Sequence, residues 1–237
     1  MGGPENCTDK VKKLRMKLEI ACFNPRAVEI AVKAKADRIE YCQNYDQGGV
    51  SPPAGEVGQI KKKIDTPVFV MVRPRPGNFI YNKEELREMA KTIDRMKAAG
   101  ADGFVFGILD QANELNVKDC EILVKTAWPL PCTLHRAFDD TPDKIKSLHE
   151  ALNCGFSRIL SSGGKGNVED NIKAIEMLIL TASDQIILMP GGGLRSHNID
   201  MLKAAGATEF HSSCITSQES LLPDSEEICR IKHKLLS

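Results

Sequence analysis

Eight short apolar or β-branched runs, each followed by a stretch with helical periodicity, constrain this chain more than any other feature. The runs are KLEIAC (17–22), RIEYC (38–42), VFVMVR (68–73), GFVFGIL (103–109), CTLHRAF (132–138), RILSS (158–162), IILMP (186–190) and EFHSSC (209–214). Strict alternation of strand and helix implies parallel strands, because each parallel pair needs a crossover. Eight units are the number that closes a (β/α)8 barrel, and 237 residues suit one such domain. A doubly wound open sheet is the rival. It normally carries a glycine-rich loop after its first strand, and CFNPRAV has none. The expectation is an α/β protein with a single TIM-barrel domain over 16–237, preceded by a disordered tail at 1–15.

The helical stretches carry their own signals. In NKEELREMAKTIDRMKAAG, Leu86, Met89, Ile93 and Met96 form one apolar stripe and Gly100 supplies the stop. TPDKIKSLHEALNCG predicts Thr141 as N-cap with Pro142 at the first helical position, and SHNIDMLKAAG predicts Ser196 as a cap. A weak internal echo (KAKADRIE, KAAGADGFVF, NCGFSRIL, KAAGATEF) marks four helix-to-strand passages.

Composition narrows the functional classes. Lys+Arg and Asp+Glu both number 32, and aromatic residues make up 5%. Neither favours nucleic acid as a partner. No run of about 18 apolar residues predicts a membrane span. The polar start MGGPENCTDKVKK lacks a signal-like apolar segment, so a cytoplasmic and also nuclear location is expected. The 8 cysteines are scattered without a CxxC pair, which fits reduced thiols. A homodimer or higher homo-oligomer is expected as the common state of such proteins.

In a barrel of this kind the C-terminal strand ends build the functional face. The polar residues of the runs fall there: Glu19; Glu40 and Cys42; Arg73; His135, Arg136 and Asp139; Ser161, Ser162 and Gly163; Gly191, Gly192 and Gly193; His211 and Ser213. One reading is an ion-pair layer plugging the barrel. The other is an enzyme site for a small phosphorylated or carboxylated metabolite. Arg73, Arg136, Ser161, Ser162, Gly163, Gly191, Gly192, Gly193 and Ser213 would hold the anion, and Glu19, Glu40, His135, Asp139 and His211 would be the catalytic candidates. Asp139 is expected to orient the His135 imidazole. Neither SSGGKGN nor MPGGGL fits G-x-x-x-x-G-K-[ST], so no nucleotide cofactor is implied.

RIEYCQNYDQGGVSPPAG, VMVRPRPGNFIY, LHRAFDD, RILSSGG, MPGGGL and EFHSS stand in an order that resembles the CutC-like copper homeostasis proteins. The resemblance covers about 17–214. It implies a TIM barrel, a cytosolic location and copper handling by Cu(I) binding, with Cys42 and Cys22 as metal ligands; thiolates select this soft ion. Family members commonly carry Cys two residues after the first-strand Glu. That position is Ala21 here, and Cys22 follows it.

Overall fold

The computed structural model describes residues 16–217 and 220–236; the expected tail and Cys7 lie outside them. Strand and helix alternate as β1 (Lys17–Cys22), α1 (Pro25–Lys33), β2 (Arg38–Tyr41), α2 (Ala54–Lys61), β3 (Val68–Met71), α3 (Lys83–Ala98), β4 (Gly103–Phe106), α4 (Val117–Ala127), β5 (Cys132–Leu134), α5 (Lys144–Cys154), β6 (Arg158–Ser161), α6 (Ile172–Ala182), β7 (Ile187–Pro190), α7 (Ile199–Ala204), β8 (Glu209–Ser212) and α8 (Ser225–Leu236). All strand pairs are parallel. The sheet order is β7-β6-β5-β4-β3-β2-β1-β8. A parallel bridge between Gly191 and His211 joins its two ends, so the expected TIM barrel is observed.

Side-chain alternation sorts each strand into two faces. Leu18, Ile20, Ile39, Tyr41, Val68, Val70, Phe104, Phe106 and Phe210 turn outward into one apolar layer under the helices. That layer is the main core. The helices meet it with narrow stripes: Met89, Ile93 and Met96 of α3 are buried as their spacing predicts, while Leu86 is only partly buried.

The inward face is built differently. Across the barrel floor Arg38 pairs with Glu19, and its Nη2 lies 2.8 Å from Glu209 Oε2. Arg158 Nε lies 2.9 Å from the same Glu209 oxygen. The Phe69 ring lies 4.8 Å from the Arg38 guanidinium and 5.1 Å from that of Arg158. A floor of two Arg and two Glu balances its own charge, as buried ions must. Phe69 fits there because Gly103 is opposite: a Cβ on Gly103 would lie 2.6 Å from the ring.

Three local expectations are corrected. The fifth run stops being a strand after Leu134 and turns into a 3-10 helix over Arg136–Asp140. The helix after it therefore starts late. Its N-cap is Asp143, whose side chain accepts from the Lys146 N–H, whereas the Thr141 hydroxyl donates to Phe138 O. Ser196 is not a cap either, since its N–H and hydroxyl donate to the Glu227 carboxylate and α7 begins only after Asn198.

Two glycine substitutions test this packing. Gly103→Ala is expected to destabilise the barrel by about 1–3 kcal/mol through overpacking against Phe69. Gly55→Ala meets no atom within 4 Å. It is expected to leave stability unchanged or raise it by up to about 1 kcal/mol. Urea unfolding of both variants measures the contrast.

Candidate functional site

At the C-terminal strand ends lies a cavity of about 290 Å³. Its lining joins residues from nearly every strand end, which is what parallel strands of matched length produce. Glu40 of β2 and Cys42 just beyond its end face it, as do Arg73, His135, Arg136, Gly192, His211 and Ser213. Glu19 lies one layer deeper, 1% exposed, between the floor and the mouth. One of its oxygens takes Arg38 and the other accepts His211 Nδ1 at 2.7 Å. Glu19 thus positions the imidazole from below.

His211 Nε2 lies 3.8 Å from Glu40 Oε2. Burial works against the Glu19 charge, but Arg38 and His211 outweigh it and hold the carboxyl well below the usual range. Burial pushes Glu40 up to about 7. For His211 burial acts downward, and the charge of Glu40 with the hydrogen bond to Glu19 overcomes it, raising its pKa. Glu19, Glu40 and His211 form a compact proton-sharing cluster. Their potential ligand atoms lie within 4.8 Å of one another.

Asp139 does not orient His135: the chain turns into a 3-10 helix after His135, and other partners take the carboxylate. It binds the end of β6 instead. Its oxygens accept the Ser161 hydroxyl at 2.5 Å and the Ser162 N–H at 3.1 Å. Arg136 Nε donates to it at 2.8 Å and Arg136 Nη2 donates to Ser162 Oγ at 2.8 Å. Ser161, Ser162 and Asp139 therefore form the frame that aims Arg136. Gly163 belongs to that frame, its N–H donating to Ser161 Oγ at 2.8 Å.

His135 is buried at the edge of this frame. Its Nδ1 accepts the Ala137 N–H at 3.2 Å, so the neutral ring carries its proton on Nε2, which has no partner. Phe79 packs on the ring at 4.6 Å between centroids. Burial, with the nearby Arg73 charge, lowers the His135 pKa to about 3. Arg73 donates from Nη1 and Nη2 to the carbonyls of Gln47, Gly48, Gly49 and Gly77, clamping two loops. Its Nε is left unpartnered.

The two cysteines assigned to one metal site separate. Cys42 faces the cavity beside Met71 and Phe69. Cys22 lies on the opposite face, inside the outer apolar layer. One residue of slip along a strand turns a side chain over, so Ala21 takes the inward place. Sequence reasoning passed over Arg195, whose Nη1 holds Leu194 O and Ser212 Oγ while Nη2 holds Ile215 O at the cavity wall. Its place directly after GGGL was the available signal. Phe79 was missed likewise, although it stands inside RPRPGNFIY.

Fold and site together define a (β/α)8-barrel protein with a small, charged, ligand-sized cavity at the C-terminal strand ends. Within that class, the CutC family model matches residues 16–216, and the chain belongs to the CutC family. The human copper homeostasis protein cutC homolog is 40% identical over 198 residues, 82% of this chain and 72% of its own length. The CutC family protein of Agrobacterium fabrum is 38% identical over 205 residues, 86% of this chain and 81% of its own. The crystal structure of the Streptococcus agalactiae protein assigned to CutC superimposes with a TM-score of 0.80 at 33% identity. It covers 85% of this chain and 100% of that one.

The lowered His135 pKa is directly observable. Nitrogen-15 chemical shifts of the imidazoles are expected to show His135 neutral with the proton on Nε2 throughout the pH range 5–8. His211 is expected to titrate above the ordinary histidine value. A His135 titration near pH 6.5 would contradict the burial described.

Proposed function

We propose that this protein serves copper homeostasis by holding Cu(I) at the barrel mouth, with Cys42 as thiolate ligand. The observation that supports it is the position of Cys42, the one cysteine among the described residues that lines the cavity. The Met71 thioether stands beside it. A Cβ on Gly49 would lie 3.4 Å from Cys42 Sγ and 3.8 Å from Met71 Cε. A thiol and a thioether on one wall are a soft donor set that fits Cu(I) and disfavours hard cations.

Burial, then Glu40 and Cys22, push the Cys42 thiol well above its ordinary value. The thiol rests protonated and gives up its proton as the metal binds. A cavity open at one end lets a small thiol or a partner protein exchange the ion. Cys22, packed in the outer layer, is left out of this site.

The proposal extends to a reducing compartment, the cytosol or nucleus. Among the described residues, seven free thiols, six of them buried, support it. Among the described residues no helix is long and apolar enough to cross a membrane.

Anaerobic titration against a Cu(I) chelator tests the site. Wild type is expected to take up one Cu(I). Cys42→Ser is expected to abolish that uptake, Met71→Leu to weaken it about tenfold, and Cys22→Ser to leave it unchanged. Ala21→Cys adds a second thiol at an inward position and is expected to tighten binding by tenfold or more. Uptake that persists in Cys42→Ser would overturn the assignment.

A further inference from the structure

The mouth contains charges and polar atoms that a Cu(I) ion at Cys42 does not satisfy. Arg73 is 5% exposed and Arg195 is half-buried, yet the hydrogen bonds of both guanidiniums go only to carbonyls and a hydroxyl. Among the described residues no carboxylate pairs with either. Arg136 has Asp139 on one side and keeps Nη1 turned toward the glycine loop. A Cβ on Gly192 would lie 3.0 Å from that nitrogen, so the bare backbone there is what lets the guanidinium settle.

A second observation agrees. Glu40, Arg73 and His135 each carry one buried polar atom without a partner: Oε1, Nε and Nε2. All three residues line the same cavity. A buried donor or acceptor left unpaired is costly, and all three belong to side chains that line one space. Two of the three atoms are donors and one is an acceptor.

Their arrangement is set by the strand order. Arg73, Arg136 and Arg195 follow one another around the barrel from β3 through β5 to the β7 loop and form a cationic arc, with the neutral His135 ring between the first two. Glu40 and His211 stand on the facing wall, carried by β2 and β8. Phe79 lies between the arms of the arc, its centroid 4.9 Å from the Arg73 guanidinium and 4.6 Å from the His135 ring. The cavity, about 290 Å³, falls at the small end of organic-ligand pockets.

We propose that the mouth binds a small organic anion, a carboxylate or phosphate ester, that also carries a hydroxyl or amine. Its anionic group lies against the arc of guanidiniums and the His135 Nε2–H. Its hydroxyl or amine donates to Glu40. The site is separate in chemistry from the soft donors Cys42 and Met71, and it does not rest on copper binding.

Calorimetry on copper-free protein tests this with glycerol 3-phosphate, methyl phosphate, glycerol, glycerate and propionate as probes. Glycerol 3-phosphate or glycerate is expected to bind at least tenfold tighter than the matching anion without hydroxyls, and glycerol is expected not to bind. Which of the two binds tells phosphate from carboxylate. Arg136→Gln, at a side chain 43% exposed, is expected to fold normally and lose tenfold or more in affinity. Glu40→Leu is expected to erase the preference for the hydroxylated anion.

An experiment without mutation backs these. Modification of Arg136 and Arg195 in wild type by an arginine-selective dicarbonyl, read by peptide mass, is expected to slow in the presence of the bound probe. No binding by any anion tighter than about 10 mM would overturn the proposal. So would equal binding with and without hydroxyls, or an Arg136→Gln variant as tight as wild type. The probes carry no sulfur donor and the protein no copper, so either result leaves the Cu(I) titration to be judged separately.

Discussion

The buried ion pair between Arg38 and Glu19 is the contact on which the rest of the site depends. A closed eight-stranded barrel must fill its own interior, and apolar side chains normally do so. Here two Arg, two Glu and one aromatic ring fill the floor. Such a layer is stable only when complete, because each buried ion needs its partner. The completed layer leaves Glu19 with one free oxygen pointing up, and that oxygen fixes the His211 ring. The polarity of the mouth is thus inherited from the floor.

Above the floor the two halves of the mouth are built by different means. On the β8–β1–β2 side, carboxylates and an imidazole share protons at close range. On the β3-to-β7 side, hydrogen bonds to backbone carbonyls and a hydroxyl hold Arg73 and Arg195, while Asp139 and Ser162 hold Arg136. A guanidinium held by carbonyls keeps a charge that no neighbour neutralises, whereas a carboxylate partner compensates it. The Cys42 thiol and the Met71 thioether stand between these halves on the apolar wall. Metal capture and recognition of an organic anion are therefore compatible in one cavity, since they call on different atoms.

Much of this was legible in the chain. Strand–helix alternation predicted the barrel, and the polar residues closing each run predicted where the cavity would lie. The alternation of LEIAC also shows why Cys22 and Cys42 cannot share a face while both strands remain regular. Other residues gave less. Asp139 lies four residues after His135, which on a continuous strand would put both on one side. The strand ends at Leu134, and hydrogen bonds to Ser161 and Ser162 take the carboxylate instead. Arg38, Arg158 and Glu209 each open a strand, and nothing in their own runs shows that they pair with one another across the barrel floor.

The sequence by itself determined the order of elements, the parallel pairing and the set of residues able to reach the mouth. Those follow from hydrophobic period and chain connectivity, which are local properties. Only the tertiary structure decided which charge neutralises which. Pairing Glu19 with Arg38, His211 with Glu19 and Asp139 with the end of β6 depends on side-chain atoms from different strands being brought within about 3 Å, and on burial making every unpaired charge expensive.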